Sequence, residues 1–118
     1  MNKDIYILPI FYSKNLRILV INMVEELKKI RNRIDEIDKK ILELIAERNA
    51  LAKDVAKIKF KYNLPINDDE RERYIYERIK NLCSHYNVDL DLGLKIFKLL
   101  IEHNKKLQKS YFETLKKE

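Results

Sequence analysis

Apolar residues recur in alternating steps of three and four along much of this chain. The pattern runs from Val24 to Tyr62, and mostly charged residues occupy the positions between the apolar ones. This is the pattern of an amphipathic helix whose apolar seam packs against another helix. It predicts one very long first helix over about residues 23–62. The seam positions are Leu27, Ile30, Ile34, Ile37, Ile41, Leu44, Leu51, Val55, Ile58 and Tyr62.

Two further helices are predicted after this one. Pro65 ends the first helix, because proline cannot continue a helix and constrains the residue before it. Asn67 or Asp68 then caps the second helix. Asp89 or Asp91 caps the third, which is predicted over about residues 91–116.

The small number of turn residues favours an all-α fold. The chain of 118 residues has one Gly and two Pro, too few for the turns of a sheet or for a glycine-rich phosphate loop. The first helix would span about 60 Å, whereas a compact chain of this length is only about 35 Å across. A second copy is the simplest partner for the part that protrudes. We therefore expect three helices in an intertwined homodimer.

The first 22 residues have a different pattern. They are apolar and β-branched, with Pro9 between two apolar runs. We expect an N-terminal extension, poorly ordered or strand-like, at residues 1–22 and a helical domain at 23–118. A signal peptide and a membrane-surface anchor are both disfavoured, since Asp4 lies at the start and no cleavage site follows. An alternative is that Met23 is the natural start.

Composition narrows the function without naming it. The net charge of +6 suits an anionic partner, whether a small molecule, a nucleic acid or a lipid. A single cysteine, Cys83, and two histidines allow neither an internal disulfide nor a zinc site. No apolar run is long enough to span a membrane. We expect no metal, no cofactor, no membrane partner and a cytoplasmic location.

One position in the seam of the first helix is cationic. Arg48 stands between Leu44 and Leu51, where an arginine must reach solvent or meet an anion. Lys59 lies on the same face, about 16 Å further along the axis, with Ala52 between the two cations. They outline a pocket one small molecule long. Alternatively, Lys59 is solvated and Arg48 pairs with a carboxylate.

The third helix also has polar residues in its apolar stripe. Asn104 and Gln108 stand four positions apart there, and a buried amide without a partner costs about 1–3 kcal/mol. Either the amides bond each other or the backbone, or they face the same cavity as Arg48 and Lys59 and bind a polar ligand.

Three segments together resemble one enzyme family. IRNRIDEIDKKILELIAERNALAKDVAKIK, PINDDERER and LLIEHNKKLQ occur in the order and spacing of the AroQ-class, all-helical chorismate mutases. The resemblance covers about residues 23–112. It implies an intertwined three-helix homodimer with two identical sites. The implied reaction is the [3,3] rearrangement of chorismate to prephenate, in the biosynthesis of phenylalanine and tyrosine.

The resemblance also implies which residues hold the carboxylates of chorismate. Arg48 would bind one of them, helped by Arg31 from the other subunit, and Asp68 and Asn104 would complete a carboxylate site. Arg31 lies four heptads before Lys59, about 42 Å along the helix. The two cannot reach one ligand within a single chain, but they can in an antiparallel dimer.

The remaining implied roles concern the ether oxygen and the hydroxyl of chorismate. Lys59 would hold the second carboxylate and the ether oxygen, to which Gln108 would also donate. Glu72 would accept from the hydroxyl, beside Arg71. A pericyclic rearrangement needs no nucleophile and no proton transfer, so orientation and donors to the ether oxygen carry the catalysis. Arg48, Lys59 and Gln108 are the expected catalytic residues.

Three other functions are compatible with parts of the sequence. Isochorismate–pyruvate lyase would use the same scaffold and a similar clamp. A basic helical dimer could bind nucleic acid, but we interpret the lysines at the end of the third helix as a solvated face and expect no nucleic-acid partner. The lysines at the end of the third helix are Lys105, Lys106, Lys109, Lys116 and Lys117. The third alternative, a coiled-coil scaffold, would not explain why polar residues interrupt the apolar stripes of all three helices.

Overall fold

The computed structural model describes residues 13–118, and these form three helices with no strand among them. Helix α1 is Ser13–Lys61, α2 is Asp69–Tyr86 and α3 is Leu90–Lys116. The all-α class and the three helices are therefore confirmed. The expectations for residues 1–12 lie outside the described residues. None of the three helices is long and apolar enough to cross a membrane.

Helix α1 begins ten residues earlier than the sequence pattern predicts. Residues 13–22 are helical, where the prediction was a strand-like or poorly ordered extension. No Gly or Pro occurs between Ser13 and Pro65. Leu16 and Val20 continue the three-and-four spacing of the seam toward the N-terminus. The periodic pattern and the absence of a helix breaker outweigh the β-branched residues of this segment.

Residues 13–44 form one of two compact units of the chain. The apolar side chains of this unit are exposed in the single chain, for example Ile30 at 60% and Ile34 at 50%. A continuous stripe of large exposed apolar side chains is the kind of surface that marks an interaction site.

Residues 45–118 form the second unit, and aspartates begin both of its later helices. The carboxylate of Asp68 accepts a hydrogen bond from the Arg71 backbone N–H at 3.0 Å. The carboxylate of Asp89 accepts from the backbone N–H of Leu92 at 2.9 Å. Both bonds satisfy N–H groups that a helix start leaves without partners. Each aspartate is one of the two capping residues predicted from the sequence.

Helices α2 and α3 pack against each other where α3 begins. Gly93 of α3 is buried against Cys83 and Ile79 of α2. Cys83 is a buried free thiol. Ala52 and Ala56 are the buried residues of α1 in this unit, and their small side chains permit a close approach of neighbouring elements.

Candidate active site

A pocket of about 520 Å³ lies within residues 45–118. Its wall comes from the C-terminal part of α1, the α1–α2 junction, α2 and α3. This volume is in the range of small-molecule sites. The lining residues are Arg48, Leu51, Ala52, Val55, Lys59, Ile66, Asp68, Arg71, Glu72, Ile75, Ile101, Asn104, Lys105 and Gln108.

Arg48 is held by an amide of α3. Its Nη1 donates to Oδ1 of Asn104, while Nδ2 of Asn104 donates to Oδ1 of Asn49 at 2.9 Å. The guanidinium also lies over the ring of Phe97, 5.8 Å from its centroid, a distance at which the ring attracts a cation. Arg48 has five N–H donors, so most of its fork remains for a ligand.

Lys59 is held by two carbonyl oxygens. Its Nζ donates to the backbone oxygen of Ile66 at 2.7 Å and to Oε1 of Gln108 at 3.0 Å. An ammonium group has three N–H donors, so these bonds leave one for a ligand. Because the ammonium cannot accept a hydrogen bond, the oxygen of the Gln108 amide must face it and the NH₂ group must face away.

The two cations differ from exposed ones in their acid–base behaviour. Burial lowers the pKa of Arg48, and the nearby charge of Arg71 lowers it further. Burial also lowers the pKa of Lys59, while the carboxylates of Asp68 and Glu72 oppose this effect. Both cations are thus partly removed from water, where they interact more strongly with an anion.

The charges of the pocket favour an anionic ligand. Four cationic and two acidic side chains line it, a net charge of +2. The acidic residues are not free anions. Asp68 caps α2, and Glu72 forms an ion pair with Lys105 at 2.7 Å. A small dianion would balance the net charge of +2.

The structure brings seven of the eight predicted site residues into this pocket. Asn104 and Gln108 are each 8% exposed and bond the two cations. They therefore face the same cavity as Arg48 and Lys59, as one of the two alternatives drawn from the sequence requires, and their binding of a ligand stays a prediction. Arg31 does not line the pocket; it lies in the unit of residues 13–44 and is exposed. The seven residues are Arg48, Lys59, Asp68, Arg71, Glu72, Asn104 and Gln108.

Two polar contributions to the pocket were not predicted from the sequence. The backbone oxygen of Ile66 carries no residue-type signal. Lys105 was assigned to a solvated basic face, and this assignment is wrong, because its side chain lines the pocket and pairs with Glu72. Its position three residues before Gln108 and four after Ile101 was a signal, since both spacings place residues on one helix face.

Comparison with known proteins gives concordant matches. The family model described as chorismate mutase type II matches residues 30–109. A chorismate mutase of Methanocaldococcus jannaschii is 65% identical over 91 residues, which cover 77% of this chain and 92% of that protein. A bifunctional chorismate mutase/prephenate dehydratase of Aquifex aeolicus is 54% identical over 59 residues, covering 50% of this chain and 16% of that protein.

A solved structure matches as well. The NMR structure of monomeric chorismate mutase from Methanococcus jannaschii has a TM-score of 0.61 and 57% sequence identity to this chain. The match covers 80% of this chain and 98% of that one. At this identity the likeness extends beyond the fold to the sequence of the pocket-bearing helices.

Proposed function

The chain belongs to the chorismate mutase type II family, and we propose that the pocket between Arg48 and Lys59 is its active site. The enzyme catalyses the [3,3] rearrangement of chorismate to prephenate, a step in the biosynthesis of aromatic amino acids. One observation supports this site most directly. Two cations on one face of α1 are each held by a buried amide of α3, so their positions are fixed before the substrate arrives.

Arg48 and Lys59 hold the two carboxylates of chorismate. They stand about 16 Å apart along the helix axis, and their side chains reach into the pocket from its two ends. The planar fork of Arg48 suits a carboxylate, because it donates two parallel hydrogen bonds and stays charged. The backbone N–H of Asp68 and the second N–H of the Asn104 amide, which is not bonded to Asn49, complete a carboxylate site. Fixing both carboxylates brings the reacting carbons of this flexible dianion together.

Lys59 and Gln108 donate to the ether oxygen, where negative charge develops as the C–O bond breaks. The one N–H of Lys59 that Ile66 and Gln108 leave free is shared between the second carboxylate and the ether oxygen, and the NH₂ group of Gln108 supplies the other donor. Both are fixed by the bond between them at 3.0 Å, so they need no reorganisation when the charge forms. Such preorganised donors in a water-poor site are a large source of rate enhancement.

Glu72 accepts a hydrogen bond from the hydroxyl of chorismate, with Arg71 beside it on α2. Oε1 of Glu72 is bonded to Lys105, so Oε2 is the oxygen that meets the hydroxyl. This contact orients the ring between the two carboxylate sites.

The active enzyme is a homodimer in which Arg31 serves the site of the other subunit. The exposed apolar stripe of residues 13–44 supports this arrangement, because a second copy would cover it. Arg31 lies in that same unit. The family resemblance gives it a role at the partner's site, and its distance from Lys59 along the helix agrees with that role. The related solved protein is described as monomeric, so a monomer is the alternative.

The site assignment is tested by the turnover of chorismate in Arg48→Ala. We expect this variant to lose on the order of 10²–10³ in kcat/KM for prephenate formation, because it removes a charged carboxylate ligand together with the donor that holds the Asn104 amide. Arg73→Ala is the matched control, since Arg73 is exposed on α2 and does not line the pocket. Equal activity in the two variants would place the site elsewhere.

A cytoplasmic location agrees with the buried free thiol of Cys83, which suits a reducing compartment.

A further inference from the structure

Lys105 forms the ion pair that joins two helices of the unit carrying the pocket. Its Nζ lies 2.7 Å from Oε1 of Glu72, and the two side chains are 31% and 26% exposed. Across residues 13–118, the other five ion pairs join positions three or four apart on one helix, with side chains 48–74% exposed. Pairs of that exposed kind contribute little to stability. The Lys105–Glu72 pair differs from these five because it is less exposed and because it joins two helices.

The ion pair with Lys105 engages one of the two carboxylate oxygens of Glu72. The hydrogen bond to Glu72 raises the pKa of Lys105, so the lysine stays charged across the neutral range. With Oε1 engaged, Oε2 keeps its acceptor capacity for a ligand. The chain has no other lysine or arginine within 4.0 Å of the Glu72 carboxylate among its described residues, so Lys105 alone sets its direction by ion pairing.

Without Lys105, Glu72 would turn toward a cation that the reaction needs. Glu72 already acts on Lys59 through its charge, although the two form no ion pair. A carboxylate released from Lys105 would be drawn toward the ammonium of Lys59. That ammonium would then be partly engaged, and Oε2 would leave the position where it meets the substrate.

We propose that Lys105 is a positioning residue, which holds the Glu72 carboxylate toward the substrate hydroxyl and away from Lys59. The inference rests on the proposed role of Glu72 in binding that hydroxyl. Lys105 touches the carboxylate and acts on the substrate through it. The two carboxylate clamps remain without Lys105, so its loss affects the orientation of bound substrate more than the binding itself.

The test is a double-mutant cycle on the full chain with chorismate as substrate. We expect Lys105→Met to lower kcat about tenfold with a smaller change in KM, because neighbouring polar residues couple on this scale. Lys106→Met is the matched control, since Lys106 is the next residue and exposed; it should keep wild-type kinetics. Lys105→Arg can still pair with Glu72 and should stay within about threefold of the wild type.

The Glu72→Gln background separates positioning from other roles. If Lys105 acts through Glu72, Lys105→Met changes kcat by less than about twofold in Glu72→Gln, because the partner charge is gone. An equal loss in both backgrounds, or no loss in the wild-type background, overturns the inference. Thermal unfolding of each variant checks that the fold is kept.

The double-mutant cycle also distinguishes a failure of the role of Lys105 from a failure of the proposed role of Glu72. Full activity in Glu72→Gln would remove the proposed role of Glu72, and the role of Lys105 with it. A damaged Glu72→Gln together with an unaffected Lys105→Met would overturn the role of Lys105 alone.

Discussion

Two buried amides decide how the cations of the pocket are presented to a ligand. Lysine and arginine carry N–H donors only, so the oxygen of each amide must face the cation. Because the oxygen of Gln108 faces Lys59, the NH₂ group of Gln108 is left for a ligand. Because the oxygen of Asn104 faces Arg48, its Nδ2 donates to Asn49. No buried side-chain nitrogen or oxygen among residues 14–118 lacks a partner. The amides therefore orient the cations without the penalty of an unsatisfied polar group.

Lys59 gives the enzyme a pH dependence on the alkaline side. Burial lowers the pKa of its ammonium, against the opposing charges of Asp68 and Glu72. In the proposed site, only the protonated form of Lys59 can donate to the ether oxygen. We therefore expect kcat/KM to fall as pH rises through this lowered pKa, earlier than an exposed lysine would allow. In Lys59→Arg the fall should move to higher pH, whatever the level of activity, because arginine keeps its proton.

Stability should respond to pH in the opposite direction. A base with a depressed pKa in the folded state holds its proton less tightly there than in the unfolded chain. Between the two pKa values the unfolded chain binds more protons, so the contribution of Lys59 to the unfolding free energy rises with pH. Thermal unfolding at each pH therefore separates the predicted alkaline loss of activity from denaturation.

Lys61→Arg, at the same helix end, is the control for the pH profile of kcat/KM. If the alkaline fall of kcat/KM does not move in Lys59→Arg, the assignment of that fall to Lys59 is wrong.

At the scale of the helices, the contact between α2 and α3 determines the relative positions of the site residues. Glu72 lies on α2, whereas Asn104, Lys105 and Gln108 lie on α3. The two helices approach closely at Gly93, where a Cβ atom would collide with Sγ of Cys83 and stand 3.6 Å from Cγ2 of Ile79. Glycine is needed here for space, since the first turn of α3 is ordinary helix.

Gly93→Ala should destabilise the fold by about 1–3 kcal/mol, the usual cost of overpacking a buried contact. Cys83→Ala removes the sulfur that the new methyl group meets. The double variant should therefore be more stable than Gly93→Ala alone, although Cys83→Ala by itself leaves a small cavity. Urea unfolding of the three variants measures this. A double variant no more stable than Gly93→Ala would show that the collision is not the cause.

At the scale of the whole molecule, the exposed stripe of residues 13–44 and the position of Arg31 lead to the same proposal. Ile37 and Ile41 are 43% and 50% exposed in the single chain, and such a stripe is stable in water when a partner covers it. A two-fold dimer would place the same stripe and the same arginine at both sites.

Complementation tests the shared site. If the active enzyme is the proposed dimer, Arg31→Ala and Arg48→Ala should each damage every site of their own homodimers. A mixed dimer of the two variants has one site with both arginines intact, so co-expression should restore about a quarter of the wild-type sites if the chains assort at random. Molar mass in solution is measured on the same samples.

The control replaces Arg31→Ala by Arg33→Ala. Arg33 pairs with Glu36 on the exposed face of α1 at 3.0 Å. Arg33→Ala should therefore be active when it is expressed alone, without co-expression of a second variant. A molar mass of one chain, or a dimer without restored activity, would contradict the shared site.

The sequence alone determined the class of the fold, the helix junctions and most of the pocket. Few glycines and prolines favoured helices, and Pro65 marked the junction after the first one, which ends at Lys61. The sequence narrowed the capping residue of each later helix to two candidates, of which the structure selects Asp68 and Asp89. Arg48 and Lys59 were predictable because eleven residues make about three helical turns, so both fall on one face. These features depend on neighbours in the sequence, whose relative positions the helix itself sets.

Only the tertiary structure decided which distant groups meet. The bonds from Arg48 to Asn104 and from Lys105 to Glu72 join residues on different helices. Periodicity shows which face a side chain occupies, but the packing of α2 on α3 selects its partner among several at similar positions. Lys105 illustrates this, since its spacing allowed either a solvated face or the rim of the pocket. The partner carboxylate is 33 positions away in the sequence, so only packing could show that the two groups meet.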